Sequence, residues 1–218
     1  MQKEILKGID LFLRPNPRTK SFRLTINKDG QPVLSFPTLS AKRRALQWAE
    51  SQVGWIQKHA FTPQKFAFGQ KFLLLSQEVC LTPSPNRTSF IQGKTLYISG
   101  ETAFVHRRTK DFIKKMLLPL LQKKVQEKAT QLGTPYRRIS IKDTSSRWGS
   151  CSSQGNLSFC WRIALAPAPV LDYLVAHEVS HLKHMNHGPL FWKTVATLTP
   201  HTLMAKRWLK KNSTTLPK

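Results

Sequence analysis

The stretch PAPVLDYLVAHEVSHLKHMNHGPLFW, residues 167–192, decides how the rest of the chain is read. Pro167-Ala168-Pro169 predicts a helix start, because proline is tolerated in a first turn where no intrahelical N–H is needed. Val170, Leu171, Leu174 and Val175 supply a buried face, and the helix is expected to continue to about Met185 before Gly188-Pro189 breaks it. On such a helix His177 and His181 are four residues apart and project from one face, so both imidazoles can reach one metal ion. Glu178 points about 100° away around the helix axis. From there its carboxylate can reach a metal-bound water without itself ligating the ion, which is the general-base position of a zinc hydrolase.

Five of the seven histidines lie between His177 and His201, a clustering that packing does not require. No acidic residue follows Glu178, so a third ligand has to be His184, His187 or His201. His184 is one turn beyond His181 on a straight helix and too far along for an ion held between His177 and His181. His187 stands just past the expected helix end, where the chain can fold back, and is the favoured third ligand. Three neutral imidazoles around one Zn²⁺ leave its full charge to acidify water, with Glu178 to take and deliver protons. Candidate substrate or oxyanion contacts are Arg147, Arg162, His184, His201 and Tyr173.

Working outward, two strands are expected at Arg138–Ile141 and Asn156–Ile163, flanking Arg147-Trp148-Gly149-Ser150-Cys151. Residues 101–132 read as a helix with Pro119 as a kink or break and Gly133 as its stop. Residues 66–100 read as short strands with turns at Pro83–Asn86 and Gln92-Gly93. Residues 1–39 read as strands around a turn at Asn27–Gly30, followed by a helix capped by Ser40 and running to about His59. Its basic triplet Lys42, Arg43, Arg44 is expected to be a solvated face, and no internal repeat is visible. The expected architecture is α+β: a β-rich N-terminal region over 1–100 with one helix, then a second domain over 101–218 with a long helix, a small sheet, the histidine-bearing helix and C-terminal helices.

Lys and Arg number 35 against 11 Asp and Glu, a net charge of +24. This favours anionic partners, including nucleotides and nucleic acid, without specifying a fold. The longest apolar runs fall far short of the ~18 residues of a membrane span. The N-terminus lacks a signal-peptide core, and Cys80, Cys151 and Cys160 are too few for a disulfide framework. A reducing cytoplasmic setting is therefore expected. With Gly155-Asn156 as a hairpin turn, Cys151 and Cys160 are expected opposite each other as buried thiols, and Trp192 and Trp208 as core anchors. Glycine-rich phosphate loops of the GxGxxG and GxxxxGK[ST] kinds are absent.

Arg147–Cys151 (RWGSC), Gly155–Ala166 (GNLSFCWRIALA) and Val170–Trp192 together resemble the YgjP-like family of zinc metallopeptidases, related to zincins and SprT-type proteins. The resemblance extends more loosely through the N-terminal half. It implies a zincin-like fold for 101–218, His177, His181 and His187 as metal ligands, Glu178 as general base, one zinc ion, and a peptide or protein substrate. Ser180 stands where a small apolar residue is usual, and Gly188 where serine is usual. Metzincins share the ten-residue ligand spacing but require glycine where this chain has His184. Alternatives on the same site are hydrolysis of a nucleotide phosphoanhydride, a nucleic-acid-associated binding role, or proteolysis of DNA-bound proteins. Arg147 is a candidate for a substrate carboxylate or phosphate, and the strand beside it for edge pairing with an extended peptide.

Overall fold

Residues 2–27, 29–60, 64–144, 147–212 and 216–217 are described by a computed structural model. Its first sheet is built from β1 (Gln2–Leu6), β2 (Ile9–Pro15), β3 (Arg23–Ile26) and β4 (Pro32–Phe36), in the order β1-β2-β4-β3. The β1–β2 hairpin turns on Lys7 and Gly8, both with positive φ, as a two-residue turn matched to strand twist requires. In the Asn27–Gly30 turn the Asn27 side-chain oxygen accepts from the Asp29 and Gln31 N–H groups. Lys28 of that turn lies outside the described residues. Leu11, Leu13, Leu34 and Phe36 meet Ala45, Ala49 and Ile56 of α1 (Lys42–Ser51) and α2 (Val53–His59) in one apolar cluster.

The single helix expected over 40–59 is therefore two, interrupted at Gln52. It opens through a 3-10 turn at Leu39–Ala41, and Ser40 bonds to the Thr38 hydroxyl instead of capping. Within the basic triplet, Lys42 pairs with Glu4 at 2.7 Å, while Arg43 and Arg44 are exposed.

A second sheet, β5 (Lys71–Leu74), β6 (Gln77–Pro83), β7 (Phe90–Gln92) and β8 (Thr95–Ile98), has the order β5-β6-β8-β7. Its topology repeats the first: outer hairpins are antiparallel and the central pair, β2–β4 or β6–β8, is parallel. Leu13, Pro15 and Pro17 recur as Leu81, Pro83 and Pro85. The bond from Asn16 N–H to the Phe36 carbonyl recurs from Ser84 to Ile98. The chain does contain an internal repeat, which different loop lengths hide from a fixed-period search.

The two sheets fall in different compact units, Met1–Gln64 and Lys65–Pro217, so the boundary lies at 64/65 and not at 100/101. The physical reason is shared packing: Leu81, Leu96 and Ile98 belong to the same core as Ile113, Leu117 and Leu121 of α3 (Val105–Leu132). Buried α3 residues recur every fourth position from Val105 to Val125. Pro119 sits on the exposed face, where water can satisfy the carbonyl it orphans, and α3 passes through it without a break. Gly133, at φ +62°, ends α3 by donating to the Thr130 carbonyl while Thr134 donates to Ala129.

The third sheet has the order β10-β11-β9, with β9 (Arg138–Lys142) parallel to β11 (Asn156–Cys160) and β10 (Gly149–Cys151) antiparallel to it. The RWGSC segment thus supplies a strand of its own. Cys151 faces Leu157, not Cys160, and is half-buried, while Cys160 is buried; all three cysteines are free thiols. β11 ends at Cys160 in a buried 3-10 turn, Trp161–Leu165, and α4 (Ala168–Ser180), α5 (Pro189–Leu198) and α6 (Thr202–Lys211) follow. Lys128 on α3 pairs with Asp172 on α4 at 3.0 Å and donates to the Leu198 carbonyl at 2.8 Å, fastening α4 and α5 to α3. Burial raises the Asp172 pKa, but bonds from Thr199 and Lys128 and the charges of Lys128 and Lys124 outweigh it and hold it below its ordinary value.

Candidate metal centre

α4 ends at Ser180, five residues before the expected Met185. The Ser180 hydroxyl donates back to the Ala176 carbonyl, and Leu182, Lys183 and His184 close a tight turn by donating to Val179 and Ser180. His181 therefore stands at the junction between helix and turn. Gly188 and Pro189 then open α5, with ordinary extended backbone at Gly188. This early end lets the chain double back and brings His187 to His177, with their Nε2 atoms 3.1 Å apart.

One ligand atom from each of His177, His181 and His187 lies within 4.8 Å of the others. Two imidazole nitrogens on one tetrahedral zinc stand about 3.3 Å apart, so the cluster fits such an ion with small adjustments. The second ring nitrogens of His177 and His181 are engaged. Nδ1 of His177 is 3.4 Å from the Tyr173 hydroxyl, and Nδ1 of His181 is 3.0 Å from the His184 carbonyl. A carbonyl only accepts, so His181 carries its proton on Nδ1 and presents an unprotonated Nε2. Phe191, fully buried, forms the floor, with its ring centroid 5.0, 4.5 and 4.7 Å from those of His177, His181 and His187.

Burial, then the charges of His181, His187 and Lys206, hold His177 down to about 4. Burial also lowers His181, against the opposing bond to His184 and together with His187. Both imidazoles are thus neutral at physiological pH, the form that binds metal. Glu178 is only 4% exposed, and burial pushes its carboxyl up to about 8 against the pull of Arg147. It rests on β10: a Cβ built on Gly149 would lie 2.7 Å from Glu178 Cδ and 2.8 Å from its Cγ. Only glycine leaves room for the carboxyl at that strand position.

The other residues singled out in the sequence are dispersed. Tyr173 is buried and faces His177. Arg162 is buried, donating to Asp143 at 2.9 Å and to the Thr144 carbonyl. His184 contributes its backbone carbonyl to His181, and His201 is the half-buried residue preceding α6. Arg147 is exposed beside β10, with its charge felt at Glu178. Trp192 and Trp208 both pack against the core, Trp208 also on Trp148 with centroids 6.1 Å apart and Trp192 also at the imidazoles, 5.7 Å from His187 and 6.0 Å from His177. Lys206 lies over the Trp192 ring at 3.9 Å. Gly149, Phe191 and Lys206 carried no expectation as site residues. A glycine inside a strand is the signal that could have exposed the first, as the four-residue spacing of Tyr173 and His177 could have exposed their pairing.

An α+β chain that brings three imidazoles together, with a buried carboxyl on the adjoining helix residue, has the site of a metal-dependent hydrolase. Residues 20–212 match the family described as YgjP-like, metallopeptidase domain, and the chain belongs to that family. Among solved structures it is similar to the metallopeptidase zymogen of Pyrococcus abyssi abylysin, with 17% identity, 44% of this chain and 98% of that chain covered, and a TM-score of 0.39. No curated protein matches the sequence. Among the described residues no helix is long and apolar enough to cross a membrane.

Proposed function

We propose that the chain is a zinc metallopeptidase of zincin-like architecture, with His177, His181 and His187 holding one zinc ion and Glu178 as general base. The observation that carries this reading is the convergence of three imidazole nitrogens within 4.8 Å, with a buried carboxyl on the residue that follows the first of them. Zinc held there supplies the Lewis acidity that makes water a nucleophile near neutral pH. Glu178, in carboxylate form next to the cationic centre, takes a proton from the attacking water and passes it to the departing amine. Gly149 lets that carboxyl lie against β10, and Tyr173 and the His184 carbonyl orient the imidazoles of His177 and His181. β10 is an edge strand, so an extended peptide can add to it beside Glu178.

Elemental analysis and digestion of an unfolded protein test the proposal together. One zinc per chain is expected, with cleavage abolished by chelator and restored by zinc. Pyrophosphate release from nucleotides, measured on the same preparation, should be absent. Release without proteolysis would move the reading to a phosphoanhydride hydrolase.

Gly149→Ala provides a second check. The added methyl must displace the Glu178 carboxyl, and a displacement near 1 Å costs about 10- to 100-fold in turnover. Zinc content should be unchanged, since no imidazole is touched. Wild-type turnover in this variant would show that the carboxyl position is unimportant.

A further inference from the structure

Two sides of the site carry a cation, the imidazole side and the Glu178 side. On one, Trp192 packs beside His187 and His177, and the Lys206 ammonium lies 3.9 Å from its ring centroid. On the other, Arg147 lies beside β10, with its charge felt at Glu178. Among the described residues neither cation has a carboxylate within ion-pairing distance. Nearby acids are already committed, Asp143 to Lys110 and Arg162, and Asp172 to Lys124 and Lys128. The forty residues after Glu178 contain seven Lys and Arg and no acid.

From this arrangement we infer that the site selects acidic peptide segments, and that Lys206 is the residue that reads them; the inference rests on the peptidase reading. A free lysine loses rotamer entropy when it pairs, but one already held over an indole has lost part of it beforehand. An acidic side chain near the scissile bond gains a partner at Lys206, while a basic one meets like charge from Lys206 and Arg147. Trp192 offers an apolar wall to the stem of the same side chain.

The test uses unstructured peptides, otherwise neutral, carrying Glu, Gln or Lys at the two residues on either side of the cleaved bond. The kcat/KM of wild type is measured for each. Affinity for the same peptides is measured by fluorescence anisotropy on Glu178→Gln protein. Glu should be preferred over Gln by about fivefold, the size of one partly exposed ion pair, and Lys should be worst. The difference should lie in KM and shrink at about 0.5 M salt. Lys206→Met should flatten the order, and Lys206→Glu should reverse it. Lys206 is exposed, so both variants should keep the wild-type circular dichroism.

Equal kcat/KM and equal affinity across the three peptides, or an order unchanged in Lys206→Glu, overturns the inference. Cleavage without charge preference defeats it while leaving the peptidase reading intact. Charge-ordered binding that reverses in Lys206→Glu, with no cleavage of any peptide, upholds it and defeats the peptidase reading.

Discussion

Glu178→Gln should keep its zinc and lose about 10²- to 10⁴-fold in turnover, because the amide fits the same space but cannot accept the proton. The same substitution should make the metal-free protein more stable. The Glu178 carboxyl sits at about 8 in the folded chain against an ordinary 4.5, because burial disfavours its charge more than Arg147 favours it. Ionisation therefore favours the unfolded chain, and stability present below pH 4.5 is lost as pH rises towards 8. At pH 7 the loss is about 3 kcal/mol, which glutamine removes. His177, held at about 4, destabilises the metal-free fold as pH falls below 6.5, but it does so in both proteins. Urea denaturation of both proteins in chelator, from pH 5 to 8, isolates the carboxyl in their difference. A constant difference across that range would show that Glu178 carries no such burden, and full turnover in the variant would show that it is not the base.

His181→Ala should empty the site. Its imidazole is one of the three converging groups, packs 4.5 Å from the Phe191 ring, and satisfies the His184 carbonyl. Alanine removes a ligand, opens space over Phe191, and leaves that carbonyl without its partner. Metal binding to the folded state alone contributes about 3–5 kcal/mol at ordinary excess, which corresponds to a melting shift of about 10 °C for a chain of this size. Chelator should lower the wild-type melting temperature by roughly that amount and leave the variant unmoved. Stoichiometric zinc in His181→Ala would contradict the assignment.

Sequence made the imidazole cluster legible because the cluster depends on local spacing. His177 and His181 follow from the helical period, and His187 from the lack of acids downstream and the break at Gly188-Pro189. The end of α4 was not legible: no glycine follows until Gly188, and the helix stops through the Ser180 back-bond and the turn behind it. Strand β10 is three residues long and contains glycine, too short and too weak in propensity to stand out before its partner β11 is in place. The unit boundary depends on which helix covers the second sheet, a tertiary matter that composition does not reveal. Gly149, Phe191 and Lys206 come from three different elements, and only the fold brings them to Glu178 and the imidazoles.

The fifteen residues from Tyr173 to His187 contain the three imidazoles, the acid, and both groups that engage the helix imidazoles' second nitrogens. On the proposed reading, cation capture is written into one continuous ribbon, whereas the choice of what is cut is delegated to β10 and α6. Drift in either of those outlying pieces can retune the diet of the enzyme while its inorganic chemistry is inherited intact.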